Sequence, residues 1–165
     1  MTSARESQFE SYNRGYNVGV GGAVVNDGRL LLVRRASAYG HGNWQIPGGF
    51  IERNETLQDA VLREVQEEAG VKAEIRGILA VRSRFDDRNS TYVVFLLDWE
   101  SGDPKPDGSE TDDARWFTFD EIASLDKLPP INLEVARSAL GGAPSLLTGV
   151  SVESIGGGKY TLFVG

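Results

Sequence analysis

Cysteine is missing from this chain of 165 residues, and histidine and methionine occur once each. Without cysteine there are no disulfides, no thiolate metal sites, no iron–sulfur clusters and no cysteine nucleophile. The one histidine, His41, lies between glycines in a loop with no partner in view and is read as incidental. No apolar run approaches the roughly 20 residues of a membrane span, and the start MTSARESQFESYNR lacks an apolar signal core. A cytoplasmic protein is therefore expected. Basic residues are the minority, with 17 against 24 acidic ones and a net charge of −7. Such a chain repels the phosphates of nucleic acid and of anionic membranes, so neither is an expected partner.

What remains is an ordinary globular composition, with 40% of residues hydrophobic, in a length that suits one domain. Residues 1–15 are polar and read as a separate N-terminal segment. From Tyr16 the chain turns to strand, and VGVGGAVV, the turn Asp27-Gly28 and RLLLVRR form a hairpin. Trp44-Gln45-Ile46 reads as a short strand stopped by Pro47-Gly48-Gly49, with Gly48-Gly49 opening a loop. A helix is expected from about Thr56 to Ala69, with Thr56 and Asp59 as a capping box and Gly70 in the left-handed position beyond the last turn. Its apolar stripe is Leu57, Ala60, Val61 and Val65.

Further along, KAEIRGILAVRSRF and TYVVFLLDW are expected strands around a turn at Asp86-Asp87-Arg88-Asn89. A long polar loop SGDPKPDGSETDD precedes a strand ARWFTF. Thr118 and Glu121 are spaced to cap a helix through Asp120–Asp126. Asn132 caps a last helix to about Leu140. Trp44 and Trp116 look like core residues. The tail from residue 142 alternates like a hairpin around three glycines and is set apart as an extension to a domain over 16–141. A homodimer formed through that tail is a further expectation. Strands interleaved with few helices predict an α/β fold, a mixed sheet covered by helices on both faces.

Charge is concentrated in one place. Between Gly49 and Val71 stand six acids and only two bases. Glu64, Glu67 and Glu68 lie at i, i+3 and i+4, so their carboxylates share one helix face and repel one another. Arg63, four residues before Glu67, offsets part of that repulsion. An acidic helix face can be merely solvated. A hard divalent cation is the alternative, because Mg²⁺ takes oxygen ligands.

The flanks favour the cation. Gly49, Glu55, Arg63, Glu64, Val65, Glu67, Glu68, Gly70 and Val71 fill G-x5-E-x7-R-E-U-x-E-E-x-G-U, where U is aliphatic, without a departure. That pattern is the signature of the Nudix hydrolases, which the chain resembles from about Tyr16 to Phe119. The resemblance implies a three-layer α/β/α sandwich around a mixed sheet, and hydrolysis of a diphosphate bond in a nucleoside diphosphate linked to another group. It also implies that Glu64, Glu67 and Glu68 bind Mg²⁺ or Mn²⁺, helped by a main-chain carbonyl of Gly48 or Gly49. Arg63 would pair with Glu55 or Glu67. Glu64 or Glu67 is the candidate general base, and Glu110 is a further ligand, an alternative base or a plain loop residue.

For the substrate, Arg34, Arg35, Glu52, Arg82, Arg84 and Phe85 are the candidate contacts, with Arg35 matching an arginine frequent in the family. Phe85, Tyr92 and Trp99 can stack on a base or simply pack. ADP-ribose or a nucleotide sugar is the first expectation, and a (d)NTP the alternative. A regulatory module that binds without turnover usually loses box glutamates, and none is lost here. The isomerase branch uses a cysteine, which is absent.

Overall fold

The structure, a computed structural model, describes residues 16–85, 89–153 and 159–165. Along the chain run β1 (Tyr16–Asn26), β2 (Arg29–Arg35), β3 (Trp44–Gln45), β4 (Gly48–Phe50), α1 (Leu57–Ala69), β5 (Lys72–Phe85) and β6 (Asn89–Ser101). Then follow β7 (Thr111–Phe117), α2 (Phe119–Ala123), α3 (Pro130–Leu140), β8 (Thr148–Glu153) and β9 (Lys159–Val164).

Seven strands form one mixed sheet in the order β3-β2-β1-β6-β5, with β4 added to β1 and β7 to β2. Among the described residues only β1 and β6 run parallel, from Tyr16 opposite Asn89 to Val25 opposite Asp98. The β1–β2 hairpin turns at Asp27 and Gly28, both with positive φ (46° and 72°), as a two-residue turn of this twist demands. Alternation along the strands builds two apolar layers. Val20, Val24, Leu31, Val33 and Phe95 face α1, where Ala60, Val61, Val65 and Ala69 cover them. Ala23, Leu30, Leu32, Val94 and Leu96 face the other way, under Ile122 of α2 and Val135 and Ala136 of α3. The result is the three-layer α/β/α sandwich. No helix among the described residues is long and apolar enough to cross a membrane.

Some expected boundaries move. Gly48-Gly49 does not open a loop. It belongs to β4, whose Gly48, Gly49 and Phe50 pair antiparallel with Gly21, Val20 and Gly19. Three residues without alternation carry no strand signal, and the neighbouring strand supplies the pairing. The polar loop after β6 is shorter than expected, because Thr111 to Asp113 already pair with β2. Helix α2 stops at Ala123, since the Ser124 hydroxyl donates to the Glu121 carbonyl and turns the chain. Asn132 does not cap α3. Pro129 occupies the cap, and Asn132 is buried inside the helix with its side-chain oxygen accepting from Ile46 N at 3.2 Å. Residues 86–88 of the expected turn lie outside the described residues, and Asn89 is already in β6.

In the tail, β8 and β9 form a separate antiparallel ribbon from Thr148 opposite Val164 to Glu153 opposite Lys159. It docks on the body in two ways. Leu147 and Ile78 exchange backbone hydrogen bonds, and Phe163 meets Phe95 edge-on at 5.7 Å between ring centres. Trp44 and Trp116 are half-buried, each packed against one of the two apolar layers.

Candidate active site

Helix α1 is fixed at both ends. Thr56 and Asp59 make the reciprocal capping box, and Gly70 ends the helix at φ 70°, its N–H donating to the Gln66 carbonyl. Val61 and Val65 anchor the inner stripe, which sets the rotation of the helix and turns Glu64 and Glu68 toward the sheet. These two carboxylates are buried, at 9% and 5% exposure, while the Glu67 side chain is 59% exposed.

Arg63 ties the helix to the loop before it. Its Nε donates to Glu55 Oε1 at 2.7 Å, and its Nη2 to Glu55 Oε2 at 3.0 Å and to the Phe50 carbonyl at 3.2 Å. Nη1 reaches Glu64 Oε1 at 2.9 Å and Glu67 Oε2 at 3.2 Å. Arg63 thus pairs with both residues offered by the sequence, and with Glu64 besides. Asn54, in the left-handed region at φ 64°, bends the loop so that Glu55 turns back toward Arg63. The paired guanidinium holds the Glu55 carboxyl below its usual range.

Burial does the opposite to the inner carboxylates. Glu64 is raised, mainly by desolvation, against the pull of Arg63. Glu68 is pushed up to about 7 by burial, with the charges of Glu64 and Glu110 adding to it; the bond it accepts from Gly48 N at 2.8 Å offsets only part. β4 is the wall against which both press. A Cβ on Gly49 would stand 2.5 Å from Glu64 Oε1, and one on Gly48 would collide with the Val20 carbonyl. Backbone blocks a Cβ at Gly48, whereas one at Gly49 meets only a side-chain carboxylate.

Glu110 arrives from another direction. Asp107 accepts from the backbone N–H of Ser109, Glu110 and Thr111, which folds the loop before β7. Thr111 then donates its hydroxyl to the Glu68 carbonyl at 2.8 Å. Sequence reasoning missed Asp107 and Thr111. An Asp two to four residues ahead of those amides was the available signal.

Beyond β4 lies a cleft of about 970 Å³. Arg35, Arg82 and Arg84 line it, together with Tyr39, Phe50 and Tyr92. Arg35 is held by Ser37 Oγ at 2.9 Å and the Tyr39 carbonyl at 3.1 Å. Tyr92 is the partition, with its hydroxyl crowded against Gly21 and Gly48. Desolvation raises its phenol well above the ordinary value. Glycines at 19 and 21 were the sequence sign of that ring, since a Cβ at either would collide with Tyr92. Arg34, Glu52 and Phe85 fall outside the cleft lining. Arg34 pairs with Asp112 at 2.7 Å in a shallow cavity of about 510 Å³ with His41, Trp44 and Lys127. The backbone N–H of Glu52, itself an exposed residue, donates to Glu55 Oε2, while Phe85 stands 73% exposed on β5. Trp99 is spent on the Gly102 carbonyl at 2.9 Å.

Among the described residues, no three carboxylates stand together as a ready cation cage. The donor chemistry nevertheless fits a hard cation. Glu64 and Glu68 are buried oxygen donors, both raised chiefly by desolvation, and only glycine separates them from the cleft.

Over 114 residues the chain is 35% identical to an ADP-ribose pyrophosphatase of Methanocaldococcus jannaschii, covering 67% of this chain and 65% of that protein. Over 115 residues it is 34% identical to the NAD-capped RNA hydrolase NudC of Chromobacterium violaceum, covering 69% of this chain but 41% of the relative. The chain thus spans less than two thirds of either relative's length. A NUDIX hydrolase crystal structure from Nitrosomonas europaea superposes with a TM-score of 0.70 at 30% identity, over 79% of this chain and 75% of that one. The family model described as NUDIX domain matches residues 15–138, and with that span, the sandwich and the complete box in place, the chain belongs to the Nudix hydrolase family.

Proposed function

We propose that this protein hydrolyses the diphosphate linkage of a small nucleoside diphosphate derivative, with Mg²⁺ or Mn²⁺ at the acidic turn of α1. The observation that carries this reading is the pair of buried, mutually repelling carboxylates, Glu64 and Glu68, set against the glycines of β4 beside a cleft lined by arginine. Nudix enzymes as a family use divalent metal ions. Glu64, Glu67 and Glu68 would hold the ion, with a carbonyl of Gly48 or Gly49 and, from the β7 loop, Glu110. When bound, it would supply positive charge to the diphosphate and lower the pKa of the attacking water.

The chain's own groups account for the rest. Glu64 or Glu67 takes the water proton as general base. Arg63 fixes the orientation of both by its shared bonds, and keeps the 51–56 loop on the helix through Glu55 and Phe50. Arg35, Arg82 and Arg84 seat the anionic substrate in the cleft, where Tyr39 and Phe50 offer exposed aromatic faces.

ADP-ribose or a nucleotide sugar is the first substrate class, in line with the archaeal relative's named activity. A (d)NTP is the second. The net charge of −7 supports a small molecule over a nucleic acid. A panel of ADP-ribose, nucleotide sugars, dinucleoside polyphosphates and (d)NTPs, each with Mg²⁺ and with Mn²⁺, tests the proposal. Release of a nucleoside monophosphate from at least one member is expected. Silence across the panel would overturn it.

A further inference from the structure

Asn132 is a polar residue in an apolar place. It stands in the first turn of α3 at 4% exposure, in the layer where Val135 and Ala136 already dock the helix on the sheet. Docking needs no amide there, and a buried amide costs stability unless its donor and acceptor are bonded. Here both ends are bonded. Oδ1 accepts from Ile46 N at 3.2 Å and Nδ2 donates to the Trp44 carbonyl at 3.5 Å, across 86 and 88 residues of chain.

Those partners bracket β3, a strand of two residues. It pairs with β2 only where Gln45 faces Val33 and Trp44 faces Arg34, and among the described residues no strand lies on its outer side. A carboxamide carries the same donor and acceptor as a peptide, so Asn132 serves as one unit of the strand that is absent there. Lys127 supplies another, its carbonyl accepting from Trp44 N at 2.8 Å.

From Ile46 the constraint runs on into the site. Pro47 has a locked φ, and its carbonyl accepts from Gly22 N at 2.9 Å. Gly48 N then donates to Glu68 Oε2 at 2.8 Å. A side chain from the face of the sheet opposite α1 thus reaches the acidic turn through Ile46, Pro47 and Gly48. Ile46, Gly48 and Asn132 also line the cleft, so one segment serves both sides of β4.

Resting on the hydrolase reading, we infer that Asn132 is a positioning residue for the reaction. It holds residues 44–46 so that Gly48 N–H meets Glu68 and β4 keeps its place between the turn and the cleft.

Asn132→Leu keeps the volume and removes both bonds. Val135→Ala, on the same helix and in the same layer, is the control, since it loosens packing without removing a hydrogen bond. Both are compared with the wild type well below their melting temperatures. The readouts are Mn²⁺ calorimetry without substrate, amide exchange at Gly48, and kcat and KM. Groups that orient metal ligands from behind govern affinity or activity by about 10–100-fold. Asn132→Leu should therefore lower Mn²⁺ affinity and kcat about tenfold, leave KM within about twofold, and quicken exchange at Gly48. Val135→Ala should lose stability alone. If Asn132→Leu does not fold, Asn132→Ser, too short to span the gap, is read by the same measures. Wild-type Mn²⁺ affinity and kcat in the Asn132 variant would overturn the inference, as would equal losses in Val135→Ala. If no substrate of the panel is cut, the hydrolase reading falls, while Mn²⁺ affinity and Gly48 exchange still decide the role of Asn132.

Discussion

The acidic turn of α1 and the arginine-lined cleft share β4 as a wall and differ in almost everything else. On one side, Glu64 and Glu68 are buried and raised by desolvation, with neighbouring carboxylates adding to it, and Arg63 is spent on holding Glu55, Glu64 and Glu67 in place. On the other, Arg35 and Arg82 are fixed by neutral groups, a serine and a carbonyl for Arg35, a serine and an aromatic face for Arg82. The turn carries strain that a cation would relieve. The cleft carries charge that a substrate would use. Opposite signs of surplus on the two sides of a three-residue strand are what an anion bridged by metal requires.

The comparison can be broken most forcefully at the turn. Glu67→Gln or Glu68→Gln is expected to lower turnover by about two orders of magnitude or more while the circular dichroism spectrum stays that of the wild type. Wild-type turnover in either would contradict the cation assignment.

The two glycines of β4 separate structure from chemistry. Gly48→Ala drives a Cβ into the Val20 carbonyl, which is backbone and cannot swing away, so a loss of about 1–3 kcal/mol is expected in chemical denaturation. Gly49→Ala meets only the Glu64 carboxylate, which can swing away. Its stability should hold while kcat falls. Equal losses of stability in both would erase the distinction.

Arg63→Ala comes next. Removing it leaves the partly buried Glu55 and Glu64 without their partner, and about 1–3 kcal/mol of stability should go with it. Hydrogen exchange should quicken in residues 51–56. Unchanged protection there would mean that Arg63 does not hold the loop.

The smallest effect concerns pH. Arg63 lowers the folded-state pKa of Glu55 from the ordinary 4.5. A lowered carboxyl contributes stability that is fully present above that value and is lost as pH falls through the folded pKa. Thermal scans from pH 6 down to pH 3 should therefore show a shallower acid-side decline in Glu55→Gln than in the wild type. Parallel curves would count against the pairing.

The difference between the two regions also explains what could be read in advance. Everything at the turn is local in sequence. The i, i+3, i+4 carboxylates, the Thr56–Asp59 box and Gly70 lie within one helix and its caps, so spacing alone located them. Strands β1, β2, β5 and β6 were legible for a similar reason, since their alternation and the Asp27-Gly28 turn are near-neighbour patterns. The cleft is assembled from β1, β2, β3, β4, β5, β6 and α3, and no motif spans such separations. Arg82 and Arg84 could be named as cations on one strand face, but not their position relative to Tyr92. Arg34 sits one residue from Arg35, and alternation sends it to the opposite face and to Asp112. β4 and the role of Asn132 were hidden because each depends on a partner far along the chain, β1 in one case and Ile46 in the other.

Cation binding at the turn is the central claim, and titration calorimetry tests it most directly. Mg²⁺ or Mn²⁺ is titrated at millimolar concentration into wild-type protein and into Glu67→Gln, with and without a nucleotide present. The wild type should take up the cation, more tightly with nucleotide, and Glu67→Gln should lose most of that heat. No uptake by the wild type under either condition would contradict the account.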